Sequence, residues 1–270
     1  MDPGSPSSNL TKAPVQHNAI TFEHPLNERI RNILRLEFLF QQTGRYVKGE
    51  SHWDSRATIN SLMDILSVFG RADLKTELIK ELERNIATLQ ALSENPGVDT
   101  QRLTSILRRL GELRERLQKN EGQLGQELRD DEFLNAVRQR STIPGGTCAF
   151  DLPAYHRWLQ RPTNERIEMQ SRWCATLDPV RQTVELILKL LRNSAEPSLE
   201  NAPNGGYQRN LDSSVPYQLI RVMLPPGSPY FVEVSGGKHR FSLRFLEPRE
   251  GERPAQATED VRFQLTCCAL

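Results

Sequence analysis

The sequence predicts an α+β protein: an N-terminal all-helical body with a helical hairpin, followed by a small, mostly antiparallel C-terminal β-domain. Three observations carry the prediction. Up to about residue 195 the apolar residues recur at helical spacing, beyond it they alternate strictly, and a stretch rich in Pro, Asn, Ser and Gly from Glu196 to Gly206 separates the two regimes. Successive side chains of a strand point to opposite faces, whereas positions three and four apart on a helix share one, so a change of period is a change of element. The resulting divisions are a tail over 1–20, disordered by composition, a helical domain with the dimerisation surface over 21–195, a linker over 196–206, and the β-domain over 207–270.

Asn27 is placed to cap a first helix, whose apolar positions Ile30, Ile33, Leu34, Leu36, Phe38, Leu39 and Phe40 nearly encircle it; such a helix belongs in the middle of a core. A second helix runs from about Asp54 to a C-cap at Gly70, with Ile59, Leu62, Met63, Leu66 and Phe69 at three and four spacing. From Asp73 a stripe of Leu74, Leu78, Leu82, Ile86, Leu89 and Leu92 is broken at Asn95-Pro96-Gly97. Asp99 then opens a second stripe of Leu103, Ile106, Leu107, Leu110, Leu113 and Leu117. This is an antiparallel helical hairpin, and stripes so narrow resemble a coiled-coil seam that a second copy of the chain could extend. Further helices span about Asp131 to Arg140, a segment from Asp151 with Pro153 in its first turn, Asn164 to Leu177, and Asp178-Pro179 to Asn193. Proline is tolerated at such starts because the first-turn amides lack intrahelical acceptors.

Four strands follow, at about 217–224, 229–234, 239–246 and 261–268, with Ser235-Gly236-Gly237 as a tight hairpin turn. In the first, Ile220, Val222 and Leu224 alternate with Leu219, Arg221 and Met223. In the third, Phe241, Leu243 and Phe245 alternate with Arg240, Ser242 and Arg244. In the last, Phe263, Leu265 and Cys267 alternate with Arg262, Gln264 and Thr266. One face of the sheet is thus apolar and the other carries guanidinium groups, extended at the hairpin by Lys238 and His239. Charged outer faces also serve simply to discourage edge pairing. Leu219, Met223 and Leu246 on the arginine side, with Phe231 out of phase, favour a peptide site instead. Exposed charge pairs contribute roughly 0–1 kcal/mol each, so a site of this kind is weak, salt-sensitive and dependent on more than one copy.

Composition bounds the function. The 35 Lys and Arg balance 34 Asp and Glu, so there is no global field toward nucleic acid or an anionic bilayer, and any basic site is local. Cys148, Cys174, Cys267 and Cys268 have neither zinc-site spacing nor the density of a secreted disulfide scaffold. No signal peptide and no stretch of the roughly 20 apolar residues needed for a membrane span is visible, so a cytoplasmic setting without membrane contact is expected. The sequence lacks GxSxG, HExxH, GxxxxGK[ST] and GxGxxG. Pro144-Gly145-Gly146 lacks the lysine and hydroxyl of a P-loop and reads as a turn. His17, His24, His52, His156 and His239 are scattered without a partner ligand at i, i+4, so neither metal nor cofactor is expected, and no nucleophile–base pair indicates an enzyme. The alternative to peptide binding is a single-stranded nucleic-acid module using the same basic β-face. Parity puts Phe241 and Phe245 inside, leaving few rings for bases to stack on, so nucleic acid is not the expected partner.

Several separated motifs, in order, resemble one family. They are Phe22-Glu23-His24-Pro25-Leu26-Asn27-Glu28 with Arg31, Arg35, Leu36, Glu37 and Phe38; Arg138-Gln139-Arg140-Ser141-Thr142-Ile143-Pro144-Gly145-Gly146; Phe150-Asp151-Leu152-Pro153 with His156 and Trp158; and Ser235-Gly236 leading to Lys238, Arg240, Phe241, Arg244 and Phe245. From about Thr21 to Cys268 the chain resembles the bacterial cell division protein ZapD family. The resemblance implies a non-enzymatic cytoplasmic factor of the mid-cell division ring. Such a factor binds the C-terminal tail of the tubulin-like GTPase FtsZ and bundles FtsZ filaments as a symmetric homodimer, promoting ring assembly. It places the FtsZ contact on Arg240 and Arg71, and bundling on Arg35 and His156. The strand pattern adds Arg221, Arg244, Lys238 and Arg262 as partner-binding candidates. Two family basic positions are replaced, by Asp260 before the last strand, where Arg262 stands in, and by Glu132.

Overall fold

The computed structural model describes residues 19–70, 73–94, 97–120, 122–237 and 239–270. The expected tail over residues 1–18, the Asn95-Pro96 break, Arg71 and Lys238 lie outside the described residues. Helices followed by antiparallel strands make the fold α+β, as the period change predicts. Contacts divide the chain into two units. One is helical, comprising Pro25–Ala195, Ser213–Leu219 and Cys268–Leu270. The other is a β unit comprising, of the described residues, 19–24, Glu196–Asp212 and Ile220–Cys267.

In the helical unit α1 (Glu28–Tyr46) starts where Asn27 Oδ1 accepts from the Ile30 amide at 2.9 Å. Its buried face is Ile30, Ile33, Leu36, Leu39 and Phe40, but Phe38 is 66% exposed, so the helix is not encircled by core as its composition suggests. The second helix, α2 (His52–Phe69), begins two residues before the expected Asp54. The Ser51 hydroxyl accepts from the Asp54 amide while the Asp54 carboxylate accepts from the Ser51 amide, both at 3.0 Å. The Ser51 hydroxyl, which donates to Asp54 Oδ2 at 2.6 Å, and the Ser51 amide hold the Asp54 carboxyl below its ordinary range.

Helices α3 (Leu74–Ala91) and α4 (Thr100–Lys119) form the hairpin, with Asp99 capping α4 at 3.0 Å. Their stripes Leu74, Leu78, Leu82 and Leu89 and Leu103, Leu110, Leu113 and Leu117 are buried. They lie in one core with Val180, Val184, Ile187, Leu188 and Leu191 of α9 (Asp178–Arg192), which packs against both helices. Most of the leucine seam is therefore filled within a single chain, while Ile86, Ile106 and Leu107 are half-buried and Leu92 is exposed. Glu81 of α3, 1% exposed, is held at 2.7 Å by both Arg29 of α1 and Arg84. Between α4 and α9 come a short α5 (Gln126–Asp130), α6 (Glu132–Ser141), α7 (Pro153–Leu159) and α8 (Thr163–Thr176). Gly125 stands at φ 73° ahead of α5, and a Cβ there would lie 2.5 Å from Leu66 Cδ2, so both backbone and packing demand glycine. Phe133, Tyr155, Trp158 and Trp173 form an aromatic cluster around α6–α8 with centroids 5.4–6.0 Å apart.

The β unit contains two layers rather than one sheet. Strands β1 (Ile20–Pro25), β4 (Tyr217–Leu224), β8 (Val261–Ala269) and β2 (Ser198–Ala202) make one sheet in the order β1-β4-β8-β2. Strands β3 (Gly206–Asn210), β6 (Arg240–Glu247) and β5 (Phe231–Gly236) make the other in the order β3-β6-β5, with the two-residue β7 (Ala255–Gln256) on β6. The layers meet through rings: Phe263 of β8 lies 4.9 Å from Phe245 of β6 and 5.2 Å from Tyr207 of β3. The expected linker is thus mostly β-structure. Ser198–Ala202 pairs with β8 from Ser198↔Leu265 to Ala202↔Val261, and β3 follows after a 3-10 turn. The 1–20 boundary also shifts, since Ile20–Pro25 is a strand.

Candidate partner-binding site

Strand β6 fixes the site. Phe241 and Leu243 are 1% exposed and Phe245 is fully buried, so the intervening Arg240, Ser242 and Arg244 face outward. Antiparallel register then arranges the neighbours in rows. Asn210 of β3 stands opposite Arg240; Gln208 and Ser235 flank Ser242; Gly206 and Glu233 flank Arg244; and Phe231 stands beside Leu246. At the hairpin, Gly237 N donates to Arg240 O at 3.0 Å and Leu211 N to His239 O at 2.8 Å, which holds the turn against both strands. Gly236 is forced by contact, because a Cβ there would sit 2.7 Å from Phe241 Cβ.

The Ser242 row, Arg240 and the hairpin enclose a shallow groove of about 510 Å³ lined by Gln208, Ser235, Gly236, Gly237, His239, Arg240, Phe241 and Ser242. Arg240 is exposed and has no ion-pair partner among the described residues. Arg244, 59% exposed, reaches Glu233 only at 4.0 Å. Such contacts are worth little in water, so both guanidinium groups remain available to an incoming anion.

The other predicted residues are placed elsewhere. Arg262 is exposed on the outward side of β8, opposite Asn201 of β2, and Arg221 is on β4, so the arginines are divided between two sheets and do not share one face. Parity within one strand could not show this, because it does not say which strands share a sheet. Arg221 is already matched: its Nε is 2.8 Å from Glu23 of β1, with the two side chains 24% and 18% exposed. Leu219 and Leu246, expected on the outer face, are buried at 0% and 3%. Arg35 on α1 contacts Glu28 at 3.6 Å and Asn32 at 3.5 Å, and His156 is exposed on α7. Sequence reasoning missed Glu233, Ser235 and Gln208; pairing across the Ser235-Gly236-Gly237 hairpin was the available signal for the first two. Asp260, at a position where the family resemblance implies a basic residue, has a local task. Its carboxylate accepts from Asn201 Nδ2 at 2.9 Å and from the Asn204 amide at 3.3 Å, holding the β2–β3 turn. Glu132 occupies the first turn of α6, where a negative charge suits the helix dipole.

A family model described as ZapD, cell division protein, matches residues 34–244. The chain belongs to the ZapD family. Relatives named cell division protein ZapD come from Methylococcus capsulatus (43% identical, covering 94% of this chain and 99% of the relative) and Cronobacter sakazakii (41%, covering 92% and 98%). A third, from Dechloromonas aromatica, is 40% identical over 93% of this chain and 100% of its own. ZapD membership gives the chain a role in cell division, and these relatives are named as division proteins, not as enzymes. The ZapD match spans the positions of Arg35, His156, Arg221, Arg240 and Arg244 and stops short of Arg262. Among the described residues no helix is long and apolar enough to cross a membrane.

Proposed function

We propose that this chain binds FtsZ through the Arg240–Arg244 face of the β3-β6-β5 sheet, taking the FtsZ C-terminal tail, and that as a symmetric homodimer it crosslinks FtsZ filaments at the mid-cell ring. The observation that carries the reading is the unpaired, exposed Arg240 at the groove of a two-layer β unit in a ZapD-family chain. One such site is weak; two on one dimer engage a polymer that offers many tails, because the second attachment is intramolecular and sees a high effective concentration. Arg240 and Arg244 are the residues assigned to the tail, Arg35 and His156 to bundling. The nucleic-acid alternative draws no support from this face, whose rings Phe241 and Phe245 are turned inward.

The test is co-sedimentation of the full chain with FtsZ polymers and with FtsZ lacking its tail, paired with solution mass by light scattering. A dimer that pellets only with tail-bearing FtsZ is the expected result; a monomer, or equal pelleting with both polymers, contradicts it. Arg221 supplies a contrast. Arg221→Ala removes the Glu23 pair and is expected to lower the stability of the β unit by about 1–2 kcal/mol while leaving FtsZ binding unchanged. Denaturant unfolding followed by circular dichroism, beside the pelleting assay, checks both halves. Lost binding at unchanged stability would return Arg221 to the contact surface.

A further inference from the structure

The tail of a partner could meet this β unit in two ways, by adding a strand to a sheet edge or by lying over a face. The rows across β3-β6-β5 decide between them. The middle row, Gln208–Ser242–Ser235, is low: two serines and one glutamine cross all three strands. On one side stands Arg240, on the other Arg244, and these are four residues apart on β6, or about 13 Å at roughly 3.3 Å per residue. The groove follows the low row from Gln208 on one outer strand to Ser235 on the other. Arg240 and the hairpin line this furrow on one side, and on the other side of the Ser242 row, just beyond the lining, stands Arg244.

The edges suit an acidic peptide poorly. Beside β5 an added strand would face Glu233 and Ser235 on the outward side, and like charges placed side by side on adjacent strands destabilise pairing. Beside β3 it would face the uncharged Asn210, Gln208 and Gly206 on the outward side, and on the other side Arg209, which is already in contact with Glu200 at 3.6 Å. From either edge the arginines of the central strand are two strand spacings away, about 9–10 Å.

Resting on the proposed function, we infer that the acidic peptide lies across the three strands in this furrow, its carboxylates on Arg240 and Arg244, and adds no strand to the sheet. An extended peptide sends odd and even side chains to opposite sides. Two acidic residues an odd number of positions apart therefore reach Arg240 on one side and Arg244 on the other, and two an even number apart reach one of them. Binding draws Arg244 away from Glu233, whose 4.0 Å contact is loose enough to yield.

The test uses the full chain and a fluorescent synthetic peptide of the FtsZ C-terminal tail, read by anisotropy. Ser242→Trp and Ser235→Tyr raise the furrow floor at two outward positions without changing charge, and circular dichroism reports that each variant is folded. A second peptide carries N-methyl groups on alternate amides, which blocks strand addition but not a face contact. The expected result is at least about tenfold weaker binding to both variants, since displacing charge-assisted hydrogen bonds costs at least that much, and N-methylated peptide bound within about twofold of the parent. Wild-type affinity in both variants together with lost binding of the N-methylated peptide would mean edge addition. That overturns this inference and leaves FtsZ binding standing. A wild-type chain that binds neither the peptide nor FtsZ polymers overturns both.

Discussion

Arg240→Glu is expected to weaken binding of the FtsZ tail by about 10- to 100-fold, the loss of charge-assisted hydrogen bonds worth about 1.5–3 kcal/mol, with fold and oligomeric state unchanged. The side chain is exposed and holds no ion pair among the described residues, so nothing inside the chain depends on it. Reversal also puts a carboxylate on the wall the peptide's own carboxylates approach, which adds repulsion to the lost attraction. Because the site is open to water, the difference shrinks as salt rises and the Debye length falls to about 3 Å at 1 M. Peptide anisotropy across a salt series checks this, with FtsZ co-sedimentation as the functional readout. On the proposed bivalent dimer, bundling needs two occupied sites and is expected to fail more sharply than single-site binding. Equal affinity of mutant and wild type at low salt would remove Arg240 from the site.

The largest stability effect is expected at Arg166. Its side chain, on α8, is 2% exposed and spends its whole fork on neutral oxygens. Nε donates to Arg161 O at 3.2 Å. One terminal nitrogen donates to Ser51 O at 3.2 Å and to the Ser55 hydroxyl, the other to Glu50 O at 2.7 Å and to the Thr163 hydroxyl at 3.2 Å. It thereby ties α8 to the start of α2, where Gln170 also reaches Ser55 at 3.3 Å. Arg166→Met strips buried acceptors of their donor and is expected to cost on the order of 3–5 kcal/mol, out of a total stability of about 5–15 kcal/mol. Arg166→Lys recovers only part, because a point charge on a flexible stem cannot reproduce a planar fork. Trp53, Trp158 and Trp173 are the chain's three tryptophans and all lie in the helical unit, so tryptophan fluorescence in urea reports that unit alone. An unshifted midpoint for Arg166→Met would show that this network contributes nothing.

Much of the helical unit was legible because its signals are local. Asn27, Asp99 and Asp131 cap helices as their positions suggest, with distances of 2.9–3.0 Å to the third following amide. Most of the leucine stripe positions are buried as their period requires, with Leu92 at the end of α3 exposed. The capping box at Ser51 and Asp54 was equally readable and extends α2 by two residues beyond the expected start. The strands of the C-terminal part that alternate strictly, β4, β6 and β8, were legible for the same reason. What escaped was short or polar: Ser198-Leu199-Glu200-Asn201-Ala202 has no alternation to read and is a strand because β8 pairs with it. Arg166 escaped as well, since arginine on a helix with a weak apolar stripe normally marks a solvated face.

The candidate site divides along the same line. Parity along β6 alone placed Arg240 and Arg244 on one side and Phe241 and Phe245 on the other, a consequence of backbone geometry that holds in any sheet. Tertiary structure alone decided that β6 is the middle strand of one layer while β8 and β4 belong to another, that Arg221 is held by Glu23, and that Gln208, Ser242 and Ser235 align into a furrow. Which strands pair, and in what register, depends on contacts between residues far apart in the chain, and no local period contains that information.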